Sequence, residues 1–89
     1  MPDDSDPCTA CLRAAPNPRE IEAAASMFAR CTNPAAKAQC TRRVAGVIPK
    51  QAEYAANNGR CKEAQAMVAA ALQMGVPAAR LAKAMDACK

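Results

Sequence analysis

The chain has 89 residues and carries 12 Lys and Arg against 8 Asp and Glu, a net charge of +4, with no His and no Trp. That length is one domain; it excludes a large enzyme, and the lack of His excludes any mechanism built on imidazole. Of the 89 residues 24 are Ala, and Leu, Ile, Val and Phe together number only 10, too thin a supply for a core unless disulfides or a metal support it.

Residues 1–6 contain Asp3, Asp4 and Asp6 and are expected as a disordered acidic segment, with residues 7–89 as a single helical domain. Asp6-Pro7 pairs a capping residue with a first-position proline and predicts a short helix over 7–15. Asn17-Pro18 repeats the signal, with Glu20 where a capping-box acid belongs, and predicts a helix over 18–31. Its seam is Ile21, Ala24, Ala25, Phe28 and Cys31. Asn33-Pro34 starts a third helix, 34–47, with Ala36, Cys40, Val44 and Val47 on one face. Pro49 reads as a new start and predicts a separate helix over 49–57.

Asn57-Asn58-Gly59 and Gly75 are left-handed helix stops and frame a helix over 60–74. That helix offers Ala64, Met67, Val68, Ala71 and Leu72 to the core. Val76-Pro77 opens the last helix, 77–88, with Leu81, Ala84, Met85 and Cys88 facing inward. No strand-length β-branched run interrupts the series. The fold class is therefore all-α, a small disulfide-stabilised bundle or stack of about five short antiparallel helices. A faint internal echo is also present: Arg30-Cys31 matches Arg60-Cys61, and Gly46-Val47-Ile48-Pro49 matches Gly75-Val76-Pro77.

The six cysteines are Cys8, Cys11, Cys31, Cys40, Cys61 and Cys88. Cys61 and Cys88 stand nearly the same number of residues before and after Gly75, so an antiparallel pair of helices brings them to one height, at ~1.5 Å rise per residue. A Cys61–Cys88 bridge is expected. Cys31 and Cys40 flank the Asn33-Pro34 turn and are candidates for a second bridge. Cys8 and Cys11 then pair with each other, or with Cys31 and Cys40 in either order; spacing does not choose. Two chemical alternatives use the same residues. One is redox catalysis by Cys8-Thr9-Ala10-Cys11 at a helix start, which lowers a thiolate pKa but lacks the strand that usually precedes such a motif. The other is an all-cysteine zinc site made of Cys8, Cys11, Cys31 and Cys40. Otherwise no metal and no cofactor is expected, and Glu20, Glu22, Glu53 and Glu63 read as capping or solvated groups.

Residues 52–77, AEYAANNGRCKEAQAMVAAALQMGVP, resemble one tetratricopeptide-type helical hairpin, the likeness extending over about 45–78. Gly59 takes the turn position of that family, Ala64 and Ala71 its small packing positions, and Pro77 its terminal proline, one residue late. Cys61 stands at the turn aromatic, and Ile48, Gln51 and Ala55 near the first-helix Trp, Leu and Tyr positions. The resemblance implies a hairpin stack that binds other proteins and no chemistry of its own. The Cys8, Cys11, Cys31 and Cys40 pattern also partly resembles saposin-like domains, and the size, basicity and helicity are similar to plant lipid-transfer proteins. Cys61 and Cys88 depart from the first pattern, and the adjacent Cys-Cys and CxC of the second are absent.

The expectation is a non-enzymatic protein-interaction module that takes a partner protein or peptide in a helical groove through Tyr54, Met67 and Met74. Beyond the first six residues the balance is strongly basic, which favours an acidic partner. Nucleic acid is not expected, because no Lys/Arg cluster exceeds Arg42-Arg43 and aromatics for base stacking are lacking. The alternatives are a hydrophobic-ligand or lipid-binding helical protein, and the zinc or thiol-active domain. No apolar run approaches the ~18 residues that span a bilayer. No leader is visible, so the compartment is read from six cysteines without His as extracytoplasmic: periplasmic, cell-surface or secreted. Met1-Pro2-Asp3-Asp4 reads as a domain start, and the Ala-rich, Arg-containing composition suggests a domain cut from a longer, bacterial-type protein.

Overall fold

The computed structural model describes residues 6–88, and among them are five α-helices, one 3-10 turn and no strand. The helices are α1 (Pro7–Ala14), α2 (Ile21–Arg30), α3 (Pro34–Asn57), α4 (Cys61–Gln73) and α5 (Ala78–Ala87). The protein is a small all-α fold held by three disulfides. The disorder expected over residues 1–6 lies outside the described residues except at Asp6, whose side chain accepts from the Cys8 N–H as the cap of α1.

Local signals set most boundaries. Asn17 Oδ1 accepts from the Arg19 N–H, and Pro18–Glu20 forms a 3-10 turn leading into α2. Glu20 holds the Asn17 side chain, accepting from its Nδ2 at 2.9 Å. Asn33 Oδ1 accepts from the Ala35 and Ala36 N–H groups and starts α3. Both glycine stops are left-handed, Gly59 at φ 80° and Gly75 at φ 89°. At each, the same pair of bonds closes the helix. Arg60 N–H donates to Ala55 O and Gly59 N–H to Ala56 O, while Val76 N–H donates to Ala71 O and Gly75 N–H to Leu72 O. These are two Schellman turns in one small chain, and each reverses the direction of the chain into the next helix.

One expected boundary is absent. The helices predicted over 34–47 and 49–57 are a single helix, α3, with Pro49 inside it. Proline removes one backbone bond and crowds the preceding turn, at about 3 kcal/mol. Cys40, Val44, Ile48, Ala52 and Ala55 form one buried stripe that passes straight through this point. Burying Ile48 and Val44 alone is worth about 1.5–3 kcal/mol each, so continuity wins. Gly46, the counterpart of Gly75 in the sequence echo, lies within α3 and not at its end.

The long helix organises the molecule. At ~1.5 Å per residue its 24 residues cover most of the 43 Å long axis. Helices α1, α4 and α5 pack on it, and α2 packs on α1 and α4. Cys11 and Cys40 are buried and bonded, joining α1 to α3. Cys8 is bonded to Cys31, joining α1 to the end of α2. Cys61 is bonded to Cys88, across the open end of the α4–α5 pair. The Cys31–Cys40 bridge suggested by the Asn33-Pro34 turn is therefore corrected. Cys8 and Cys11 lie three residues apart on one face of α1, and that face meets both the end of α2 and the second turn of α3.

The remaining interior is mostly alanine: ten of the buried core residues are Ala, around Ile21, Val44, Ile48, Met74 and Leu81. Two large residues expected inside are not. Leu72 is 42% and Met85 46% exposed. Helix α5 leans chiefly on α3 rather than on α4, and this leaves the outer side of the α4–α5 pair uncovered.

Candidate functional site

Several surface concavities lie around the C-terminal half of α3 and the α4–α5 pair. The first lies where the α3–α4 turn meets the Asn17–Glu20 segment. Its floor is Met67, its α3 wall is Gln51, Tyr54 and Ala55, and Asn17, Pro18 and Arg19 close the far side, giving a cleft of about 240 Å³. It is continuous through Arg19, Arg60, Glu63 and Met67 with a second hollow of about 410 Å³ that reaches Ile21, Glu22 and Ala66.

Each side chain of this cleft is placed by a local device. Tyr54 sits in the last turn of α3, and its carbonyl accepts from Asn58 Nδ2 at 2.7 Å. The Schellman turn at Gly59 delivers Arg60 to the same rim. There the guanidinium lies 5.9 Å from the centre of the Tyr54 ring and 3.6 Å from Glu63. Arg60 and Glu63 are both exposed, so their ion pair is worth under about 1 kcal/mol. The same guanidinium makes both contacts at this rim. Arg19 is set by the Asn17 cap on the opposite side. The result is an exposed aromatic ring with a cation on each side of a polar cleft over one methionine.

Of the three residues singled out from the sequence, two come together here. Tyr54 is 61% exposed at the rim, and Met67, 6% exposed, forms the floor. Met74 is fully buried in the core between α3, α4 and α5 and presents no surface to a partner. The other lone aromatic, Phe28, is half-buried with Lys37 Nζ 4.5 Å above its ring. Arg19 and Arg60 carried no signal of their own; their adjacency depends on two turns distant in sequence.

The second concavity is an apolar groove of about 360 Å³ between α4 and α5, lined by Val68, Ala69, Leu72, Ala84, Met85 and Cys88. The third lies between α3 and α5 on the other side of α5, where Lys50, Arg80 and Lys83 meet around Pro49. None of these holds a cluster of metal-ligating groups, and among the described residues no three His, Cys, Asp or Glu side chains converge as a metal site. The zinc alternative built on Cys8, Cys11, Cys31 and Cys40 needs four thiolates, and all four sulfurs are bonded in two disulfides. The Cys8-Thr9-Ala10-Cys11 redox motif likewise has its two sulfurs in separate bridges. No helix among the described residues is long and apolar enough to cross a membrane. Comparison with family models, with characterised proteins and with solved structures finds no match for this chain.

Proposed function

We propose that this chain is a non-enzymatic protein-interaction module of an extracytoplasmic compartment, and that it binds a partner protein or peptide at the Tyr54 cleft. The observation that carries this reading is the exposed Tyr54 ring held beside Arg60 above the Met67 floor. Tyrosine and arginine next to a preformed hollow are the side chains that most often dominate binding energy at protein interfaces. The resemblance of residues 45–78 to a tetratricopeptide hairpin supports protein binding, and α3 and α4 are the antiparallel pair over that stretch. Three disulfides with no free cysteine are consistent with an oxidising environment. The net charge of +4 favours an acidic partner.

The test is selection of a displayed random-peptide library on the oxidised protein, followed by titration of the selected peptides. Tyr54→Ala and Arg60→Ala should each weaken them by tenfold or more while leaving the melting curve unchanged. Peptides that bind Tyr54→Ala as tightly as the parent would sink the assignment of this cleft.

A second reading is favoured by the α4–α5 groove, whose exposed Leu72 and Met85 form an apolar surface suited to an acyl chain. It predicts that a fluorescent fatty acid binds the parent and fails to bind Leu72→Gln/Met85→Gln.

A further inference from the structure

Pro49 reads from the sequence as the start of a new helix and instead lies inside one. This has a chemical consequence. Proline has no N–H, so the Ala45 carbonyl four residues earlier lacks its ordinary helical donor. Ala45 and Pro49 both line the groove between α3 and α5, a concavity of about 310 Å³. The two residues that flank the missing bond therefore both line a concave surface. The walls at this point are made by Gly46 and Ala79, and nothing lies within 4 Å of where a Gly46 side chain would begin. Another backbone can approach closely there.

The same groove gathers cations. Lys50 comes from α3, and Arg80 and Lys83 from the first two turns of α5. Among the described residues no ion pair engages any of the three, and Glu53 is the one acid in the lining. A local excess of positive charge over small apolar walls, with an unspent backbone acceptor, fits one class of ligand best. It is complementary to an extended segment that brings carboxylates on its side chains and N–H groups on its main chain. Glu53 stands against a uniformly charged polyanion, and the groove lining has no aromatic ring on which a nucleotide base would stack.

We propose that the α3–α5 groove is a docking site for an acidic peptide segment of a partner protein, in which Lys50, Arg80 and Lys83 pair with spaced carboxylates and the Ala45 carbonyl accepts a main-chain N–H. The site shares no lining residue with the Tyr54 cleft, so it stands or falls separately from it.

The experiment titrates a fluorescein-labelled peptide of alternating Glu and Gly against the oxidised protein by fluorescence anisotropy, with a Gln–Gly peptide as the neutral reference. Binding of the acidic peptide should weaken steeply with added salt. Lys50→Gln/Lys83→Gln should weaken it about fivefold to tenfold, whereas the charge-matched Arg30→Gln/Lys62→Gln, on other faces, should not. Pro49→Ala returns the N–H that occupies the Ala45 carbonyl and should weaken binding by about threefold to tenfold, the weight of one hydrogen bond, without any change of charge. In amide spectra the shifts should centre on residues 45–50 and 79–83. Equal losses in the two double variants would overturn the proposal, since they would reflect net charge alone. Unchanged affinity in Pro49→Ala would overturn the role of the Ala45 carbonyl. Tighter binding of phosphatidylglycerol vesicles or of a single-stranded oligonucleotide than of the peptide would overturn the choice of ligand.

Discussion

The Thr41 hydroxyl donates to the main-chain carbonyl of Met74, a bond that spans 33 residues of sequence and joins the second turn of α3 to the end of α4. The Lys37 carbonyl is also near, at 3.1 Å, but the hydroxyl has one proton and Met74 is the closer acceptor. The bond satisfies a carbonyl that the last turn of α4 leaves without a helical partner. Because Met74 is also fully buried, the bond ties the α4–α5 turn to α3 at the edge of the core.

Thr41→Val keeps the shape and removes the donor. It should lower stability by about 1–2 kcal/mol, since a half-buried carbonyl is left unpaired. In a domain of this size that is a fall of about 4–15 °C in Tm. Thr41→Ser retains the hydroxyl and should melt closer to the parent. Circular dichroism at 222 nm on the two variants separates the lost bond from the lost methyl group.

The turn packed against that bond answers to the same geometry. Gly75 is left-handed, and a side-chain carbon placed on it would meet the Thr41 Oγ1 at 3.4 Å and Cγ2 at 3.5 Å. Gly59 is left-handed too, but faces open space. Alanine at either position suffers the backbone strain, about 1–2 kcal/mol. At Gly75 the added carbon would only touch Thr41 at ordinary van der Waals distance. Gly75→Ala and Gly59→Ala should therefore lose similar stability, and denaturant titration should place their midpoints close together. A clearly lower midpoint for Gly75→Ala would mean that the Thr41 bond to Met74 is also disturbed.

The disulfides differ in what they hold and in how open they are. Cys11 and Cys40 are buried in the core, while Cys61 and Cys88 are half-exposed at the end of the molecule. Each closes a loop of similar length, with separations of 29 and 27 residues, so each constrains the unfolded chain by about 3–4 kcal/mol. Partial reduction followed by alkylation and peptide mapping should find Cys61 and Cys88 labelled first and Cys11 and Cys40 last. Replacing Cys11 and Cys40 by Ala should unfold the domain at lower denaturant than replacing Cys61 and Cys88. It removes the same cross-link and also leaves a void where two buried sulfurs packed α1 against α3.

Features that depend on a few neighbouring residues were legible in the sequence. Asp6, Asn17 and Asn33 cap helices, and Gly59 and Gly75 end them, because each acts within a span of about five residues. The Cys61–Cys88 pairing followed from helix rise alone, since both partners lie on one two-helix hairpin. The partners of Cys8 and Cys11 depend instead on how α1 crosses α3, which no local pattern states. Leu72 and Met85 have core-like spacing and lie outside because α5 packs chiefly against α3 and less against α4. In an alanine-rich chain small residues fit many crossings, and spacing alone does not select among them. At the candidate cleft, Tyr54 and Met67 were visible as residue types, whereas Arg19 and Arg60 join them only through turns separated by the whole of α2 and α3.

Pro49 makes the opposite case, a strong local signal outweighed by burial, and it supplies a stability test with a defined sign. The helix continues through it with one backbone bond missing. Pro49→Ala restores the donor to Ala45 and relieves the crowding of the preceding turn, but it also loosens the unfolded chain by about 0.4–1 kcal/mol. The folded-state term is the larger, so the variant should gain about 1–2 kcal/mol in denaturant unfolding at unchanged m-value. Pro49→Gly returns the same N–H while adding backbone freedom and should fall about 1 kcal/mol below Pro49→Ala. If Pro49→Ala is instead less stable than the parent, then the proline ring itself must be packing in the α3–α5 groove strongly enough to exceed the lost hydrogen bond.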